Sequence, residues 1–196
     1  MLTLLAGLVL FLGAHSTRIY AEGWRAGTIA QIGEKKWKGV YSLVSIAGFV
    51  LIVVGYGMAR QDRSELWHLP PVWTHHLAAL LVLFAFVLIA AAYVPRNQLK
   101  ATVGHPMVLG VLVWALGHLI ANNTVADVLL FGSFLAWSAV DFAASRKRDA
   151  VAGTVYPPGT ASRTALAVVI GAVAWAVFAF WLHRVWIGVQ PLGVGL

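Results

Sequence analysis

Six stretches of the chain run almost free of charged positions: Leu2–Ile19, Val40–Met58, Val72–Val94, Pro106–Ala121, Val125–Ala143 and Ala165–Trp186. Each is close to the ~20 residues that carry an α-helix across a bilayer core. In hydrocarbon a helix satisfies its own backbone hydrogen bonds, so runs of this length predict helices and not a barrel. The pattern predicts an all-α, polytopic membrane helix bundle with about six transmembrane helices. The connections are short. Asn122–Thr124 leaves room only for a tight turn, and residues 145–163, with Tyr156-Pro157-Pro158-Gly159, form the longest loop. Residues 21–38 read as an amphipathic segment on the membrane surface. No extramembrane stretch is long enough for a core of its own, so residues 1–196 read as a single membrane domain. The first run lacks a basic leader and an A-x-A-like cleavage site, and His15–Arg18 follow it directly. It reads as a retained first helix.

Composition agrees with lipid as the solvent. Apolar residues make up 60% and charged residues 11% of the 196, against ~45–50% and ~25% in soluble domains. A soluble enzyme, a disordered regulator and a disulfide scaffold are excluded on that basis. The formal charge is +7, which in a soluble chain would suggest nucleic acid. Here the basic residues follow the loops instead, where they orient a membrane protein and meet anionic headgroups. Arg18, Arg25, Lys35, Lys36, Lys38, Arg96, Lys100, Arg146, Lys147, Arg148 and Arg163 fall on one side, and only Arg60, Arg63 and Arg184 on the other. Eleven against three predicts that both termini lie on the non-cytoplasmic side. The chain has no cysteine, so disulfides, thiolate metal ligands, iron–sulfur clusters and c-type haem attachment are all out of reach.

Ionisable residues inside hydrocarbon are costly, and they are the first candidates for function. His15 lies in the first helix, in Gly13-Ala14-His15-Ser16, whose small neighbours would let a backbone or a flat ligand approach. His118 lies in the fourth, on a run with Gly110, Trp114, Gly117 and Asn122 that suggests a close, partly polar helix contact. His105, His75 and His76 stand at helix starts. His105 precedes Pro106, as expected of a residue just outside a helix that opens with proline. It is ~220° around the helix from His118, so the two cannot hold one metal. Buried histidines on different helices suit bis-imidazole ligation of haem b, a metal shared with Asp127 or Asp141, a proton relay, or plain interhelical hydrogen bonds. Asp127 and Asp141 are ~320° apart and share a helix face with Phe134 and Ser138. Asp141 is placed to pair with Arg146 or Arg148. Thr124 and Asp127 have a capping-box-like spacing. No Walker loop, G-x-G-x-x-G, G-x-S-x-G or H-E-x-x-H is present, and no transporter-like repeat of broken helices.

Gly13-Ala14-His15-Ser16, Tyr41-Ser42-Leu43-Val44-Ser45, and His105-Pro106 with Gly110, Trp114, Ala115, Leu116, Gly117, His118 and Asn122 together resemble the NnrU family. Phe134-Leu135-Ala136-Trp137-Ser138, Asp141 and Arg146–Arg148 continue the resemblance over nearly the whole chain. It implies a multi-pass protein of the bacterial inner (cytoplasmic) membrane linked to nitrite and nitric oxide metabolism in denitrification. NnrU proteins are also similar to the plastid zeta-carotene isomerase, which carries haem b and isomerises a cis double bond of a carotenoid. That similarity puts its conserved histidines at His15, His105 and His118, with His15 and His118 as the proposed axial ligands of the haem iron. His105 is then a supporting or alternative ligand. Ala115 stands where the isomerase has a cysteine, so its proposed histidine-to-cysteine ligand switch is closed to this chain. The H-P-x-x-x-G pattern from His105 to Gly110 also resembles the isoprenylcysteine methyltransferases. Their adjacent glutamate pair is missing, with Asp141 and Ser145-Arg146-Lys147-Arg148-Asp149 in that region.

Helix arithmetic sets a depth for each ligand. Centred helices place His15 ~6 Å to the cytoplasmic side and His118 ~6 Å to the outer side, a gap of ~12 Å. On depth alone His15 pairs with His105, and His118 with His75 or His76. Three functions follow as expectations. The first is a haem-b protein in nitrogen-oxide metabolism, with nitric oxide or a lipophilic small molecule as its partner in the bilayer. The second is a haem-dependent cis–trans isomerase of a carotenoid-like polyene. The third is a cofactor-free membrane assembly protein. No nucleic-acid partner is expected.

Overall fold

The structure, a computed structural model, describes residues 1–62 and 64–192; Arg63, counted above among the outer basic residues, lies outside them. Helices dominate. They are α1 (Leu2–Tyr20), α2 (Glu22–Ile32), α3 (Glu34–Ala59), α4 (Val72–Tyr93), α5 (Gln98–Val103), α6 (Pro106–Ala121), α7 (Val125–Ala152) and α8 (Ala161–Ile187). No strand forms among the described residues. Two isolated bridges, Glu65–Thr124 and Asn97–Thr160, tie loops together. Five helices, α1, α3, α4, α7 and α8, are long and apolar enough to cross a membrane; α6 is apolar but shorter, at 16 residues.

Local chemistry sets the boundaries. Gly33 has φ +84° and separates α2 from α3, so the surface segment expected over 21–38 is a short helix followed by an early start of the second span. Glu34 and Lys38 pair one turn apart at 2.7 Å over that start. Pro106 opens α6 directly after His105, as expected. Thr124 caps α7: its hydroxyl accepts from Asp127 N, and the Asp127 carboxylate accepts from Thr124 N at 3.0 Å, the expected capping box. Helix α7 runs nine residues beyond Ala143. Its Ala, Arg and Lys residues are good helix formers without being apolar, and Gly153 closes it with φ +61°. The loop expected over 145–163 therefore shrinks to 153–160.

Both α7 and α8 contain one π-helical stretch, Val128–Gly132 and Phe178–Leu182. A π stretch takes up an extra residue per turn and sets back everything beyond it. The shared face expected for Asp127 and Asp141 assumed a regular helix, and this insertion lies between them.

Neighbouring helices pack in the order α3, α1, α7, α6, α4, α8. Only 11–28% of the apolar window of each long helix is buried, so most apolar surface faces outward, as lipid permits and water does not. Small residues make the closest contacts. On α1 and α3, Gly7, Gly48 and Gly55 let the two backbones meet; a Cβ on Gly48 would sit 2.7 Å from Phe11 N. Gly110 and Gly117 of α6 face Ala85, Leu81 and Ala78 of α4. The main core gathers Leu4, Leu8, Ile52, Ala126, Leu130 and Phe131, with Phe11, Tyr56, Trp114 and Phe134 packed on it.

Candidate functional site

The rings of α1, α6 and α7 form one continuous chain. His15 stacks on Phe11 with centroids 4.2 Å apart, Phe11 meets Phe134 at 5.8 Å, Phe134 meets Trp114 at 5.6 Å, and Trp114 meets His118 at 5.0 Å. His118 also stacks on Phe131 at 4.5 Å. Along α7, Phe131 touches His118 and Trp137 touches His15. Six residues separate those contacts, about 9 Å of helix rise, so the two imidazoles sit at different depths, much as helix arithmetic anticipates.

Each ring is fixed by the same device. His15 Nδ1 lies 2.7 Å from Phe11 O, and His118 Nδ1 lies 2.9 Å from Trp114 O, four residues back on the same helix. A carbonyl oxygen only accepts, so Nδ1 carries the proton in both rings. The lone pair of the neutral imidazole is then on Nε2. Neither Nε2 has a hydrogen bond among the described residues. An imidazole anchored through one N–H with the other nitrogen basic is the usual state of a metal-ligating histidine.

The surroundings of His15 carry a further sign. Tyr41 of α3 lies 5.2 Å from its ring and Trp137 approaches edge-on at 5.9 Å. Trp137 Nε1 and Ser45 Oγ, one turn along α3 from Tyr41, are buried without a hydrogen-bond partner. Buried polar atoms are normally paired, so the orphaned indole N–H of Trp137, whose ring meets His15, is one that a further polar group would complete. For haem b, the two free Nε2 atoms suit the group as donors, but the chain of rings from Phe11 to Trp114 fills the space between His15 and His118. Gly13, expected to admit a close neighbour, faces open space.

His105 belongs to a different constellation. Its Nε2 lies 2.8 Å from Asp149 Oδ2 and 3.2 Å from the Tyr156 hydroxyl, which donates to the same carboxylate oxygen at 2.8 Å. Gly104, at φ +74°, lets the Tyr156 ring and Arg146 Nη1 close over it. Burial pushes the Tyr156 phenol above its ordinary range, and the Asp149 carboxylate adds to the push. His105 is held at the far end of α6 from His118, so it does not join the His15–His118 cluster. His75 is half-buried and His76 exposed at the start of α4, and neither has a ring contact with the cluster. No group of three His, Cys, Asp or Glu side chains comes together as a metal site among the described residues, so the alternative of a metal shared with Asp127 or Asp141 is not assembled.

The two carboxylates are otherwise engaged. Tyr56 donates to Asp127 Oδ1 at 2.6 Å, and Thr124 takes up Oδ2 through its backbone N–H and hydroxyl. Asp141 lies 3.7 Å from Arg148, one of its two expected partners. Tyr56 was not singled out in the sequence, and Tyr156, Ser45 and Asp149 entered only as parts of longer motifs, without a role at a site. Tyr56 and Asp127 lie 71 positions apart, and no local spacing connects them.

Fold and site together define a multi-pass helical membrane protein that carries two anchored imidazoles within an aromatic interior. The NnrU protein family matches residues 3–191, nearly the whole chain, and the chain belongs to that family. No curated protein and no solved structure matches it.

Proposed function

We propose that this NnrU-family chain is a six-span protein of the bacterial inner membrane, with both termini outside the cytoplasm, that holds haem b through His15 and His118 and serves nitrite and nitric oxide metabolism. The observation that carries the reading is the paired Nδ1 anchoring, which leaves the Nε2 lone pair free on each of two helices in one aromatic cluster. The unpartnered N–H of Trp137, on a ring that meets His15, supports it. When bound, haem b supplies an iron that changes oxidation state and in its ferrous form takes nitric oxide. The protein's own part is to orient both imidazoles, exclude water through Phe11, Phe131 and Phe134, and offer Trp137 N–H as a hydrogen-bond donor at the His15 end. Helix α6 rises about 24 Å over its 16 residues, short of a ~30 Å core. His105 at one end and Asn122 at the other bring polar atoms to its two ends, consistent with a sixth crossing.

The test is an absorption spectrum of the detergent-purified protein. A b-type Soret band that is lost in His15→Ala and in His118→Ala supports the proposal. A colourless protein after haem supplementation overturns it and favours the cofactor-free assembly reading, which the unbroken ring chain between the histidines supports. If haem binds, isomer analysis after addition of a carotenoid separates a polyene isomerase from a nitrogen-oxide role.

A further inference from the structure

Two cavities adjoin at the end of the bundle where α4 finishes and α6 begins, of about 270 and 200 Å³, and both are lined by Lys100 and Tyr156. The larger is lined by Ala92, Met107 and Val108 together with Lys100 and His105, and Lys100 Nζ donates to Ala92 O at 2.9 Å. The smaller is walled by Arg96. The seat thus combines apolar and cationic groups. Arg146 adds a third basic group, its guanidinium closing over Gly104. Arg96 and Arg146 have no carboxylate within ion-pair distance among the described residues. The nearby acid, Asp149, is committed to His105 and Tyr156.

The loop is built to hold Arg96 in place. Arg96 has φ +55°, the one non-glycine residue with positive φ among those described. Asn97 behind it is 1% exposed; it donates to Ala91 O and Val94 O and accepts from Lys100 N. Thr160 N donates to Arg96 O at 2.9 Å. A residue held in a sparsely populated backbone region persists because its surroundings over-determine it, and such residues gather at ligand clamps.

We propose that this end of the bundle seats the phosphate headgroup of an anionic phospholipid. Arg96, Lys100 and Arg146 face the phosphate, and the lipid's apolar part lies along Ala92, Met107 and Val108. The ends of α4 and α6 fall at headgroup level, so the surrounding leaflet supplies the occupant, and the apolar wall distinguishes a lipid from free phosphate.

Native mass spectrometry of the full-length protein, delipidated and re-exposed to phosphatidylglycerol or phosphatidylcholine, tests it. The protein is expected to retain phosphatidylglycerol preferentially. The double variant Arg96→Asn/Arg146→Gln is expected to retain it on the order of thirtyfold less, at roughly one kcal/mol for each of the two basic residues near a membrane surface. Asn tolerates φ +55°, so the loop keeps its shape. Arg148→Gln, which removes a basic residue outside the cavities, is expected to behave as the native protein. Equal retention of the two lipids, an equal loss in Arg148→Gln, no loss in the double variant, or full displacement by millimolar inorganic phosphate would each overturn the proposal.

Discussion

Tyr56 and Asp127 illustrate what single residues contribute inside this fold. Asp127 is 5% exposed, and its carboxylate is satisfied by one phenol from α3 and by the Thr124 cap of its own helix. Removing the phenol leaves Oδ1 buried without a donor. Tyr56→Phe is therefore expected to cost about 1–3 kcal/mol, read as a lower denaturation midpoint in detergent. Thr124→Ala removes the cap hydroxyl and is expected to cost about 0.5–2 kcal/mol. Tyr156 gives a pH dependence with a definite sign. Its pKa is raised in the folded chain by burial and by Asp149, so its contribution is complete below the unfolded phenol's value of about 10 and is lost as pH climbs through the raised value. Melting temperatures are expected to fall above about pH 10, and to fall less in Tyr156→Phe. The Thr124–Asp127 cap was legible because three-residue spacing is a local signal. Tyr56 and Tyr156 were not, because each reaches its partner through tertiary packing.

At the scale of elements, hydrophobic runs locate the helices and capping chemistry ends them. The six expected runs correspond to α1, α3, α4, α6, α7 and α8, but apolarity marks where lipid is and not where hydrogen bonding stops. For that reason α3 begins at Glu34 and α7 continues to Ala152. The π stretches were invisible, since nothing in Val128–Gly132 breaks an α-helical pattern. They decide the site nonetheless: Phe131 within the stretch stacks on His118, and Phe134 just after it reaches both Phe11 and Trp114. The seam between α1 and α3 sets the other wall. A methyl group on Gly48 would meet the Phe11 backbone, and neither helix can yield without the other. Gly48→Ala is expected to cost about 1–3 kcal/mol by overpacking. Because Phe11 carries the His15 ring, the same change is expected to alter the tryptophan fluorescence from Trp137. An unchanged spectrum and midpoint would show that the seam can relax without moving the ring chain.

The whole molecule is a row of helices with lipid-facing surfaces and two chemically different regions. The aromatic interior between α1, α6 and α7 holds His15 and His118; the basic end holds His105, Asp149 and Tyr156. Sequence reasoning found the histidines of both regions and separated His105 from His118 by helix geometry, but it paired His15 with His105 on depth, and the packing of α1, α6 and α7 places His15 with His118 instead. The orientation of the row is a separate question, and charge bias makes a prediction by a physical rule: Lys and Arg are retained on the cytoplasmic face during insertion. Eleven of the 14 basic residues lie at the ends of α1, α4 and α7, in the segments that follow them and in the first turns of α3 and α8. The chain has no native cysteine, so single introduced thiols report sidedness without background. Ser64→Cys lies in the loop before α4, and Ser162→Cys lies at the start of α8 among the basic residues. In intact cells a membrane-impermeant maleimide is expected to label the first, and to label the second only after the membrane is opened. The reverse pattern would invert the bundle, placing the basic end with its Arg96 cavities outside, and labelling of both from one side would mean that an even number of crossings, not the proposed three of α4, α6 and α7, separates the two sites.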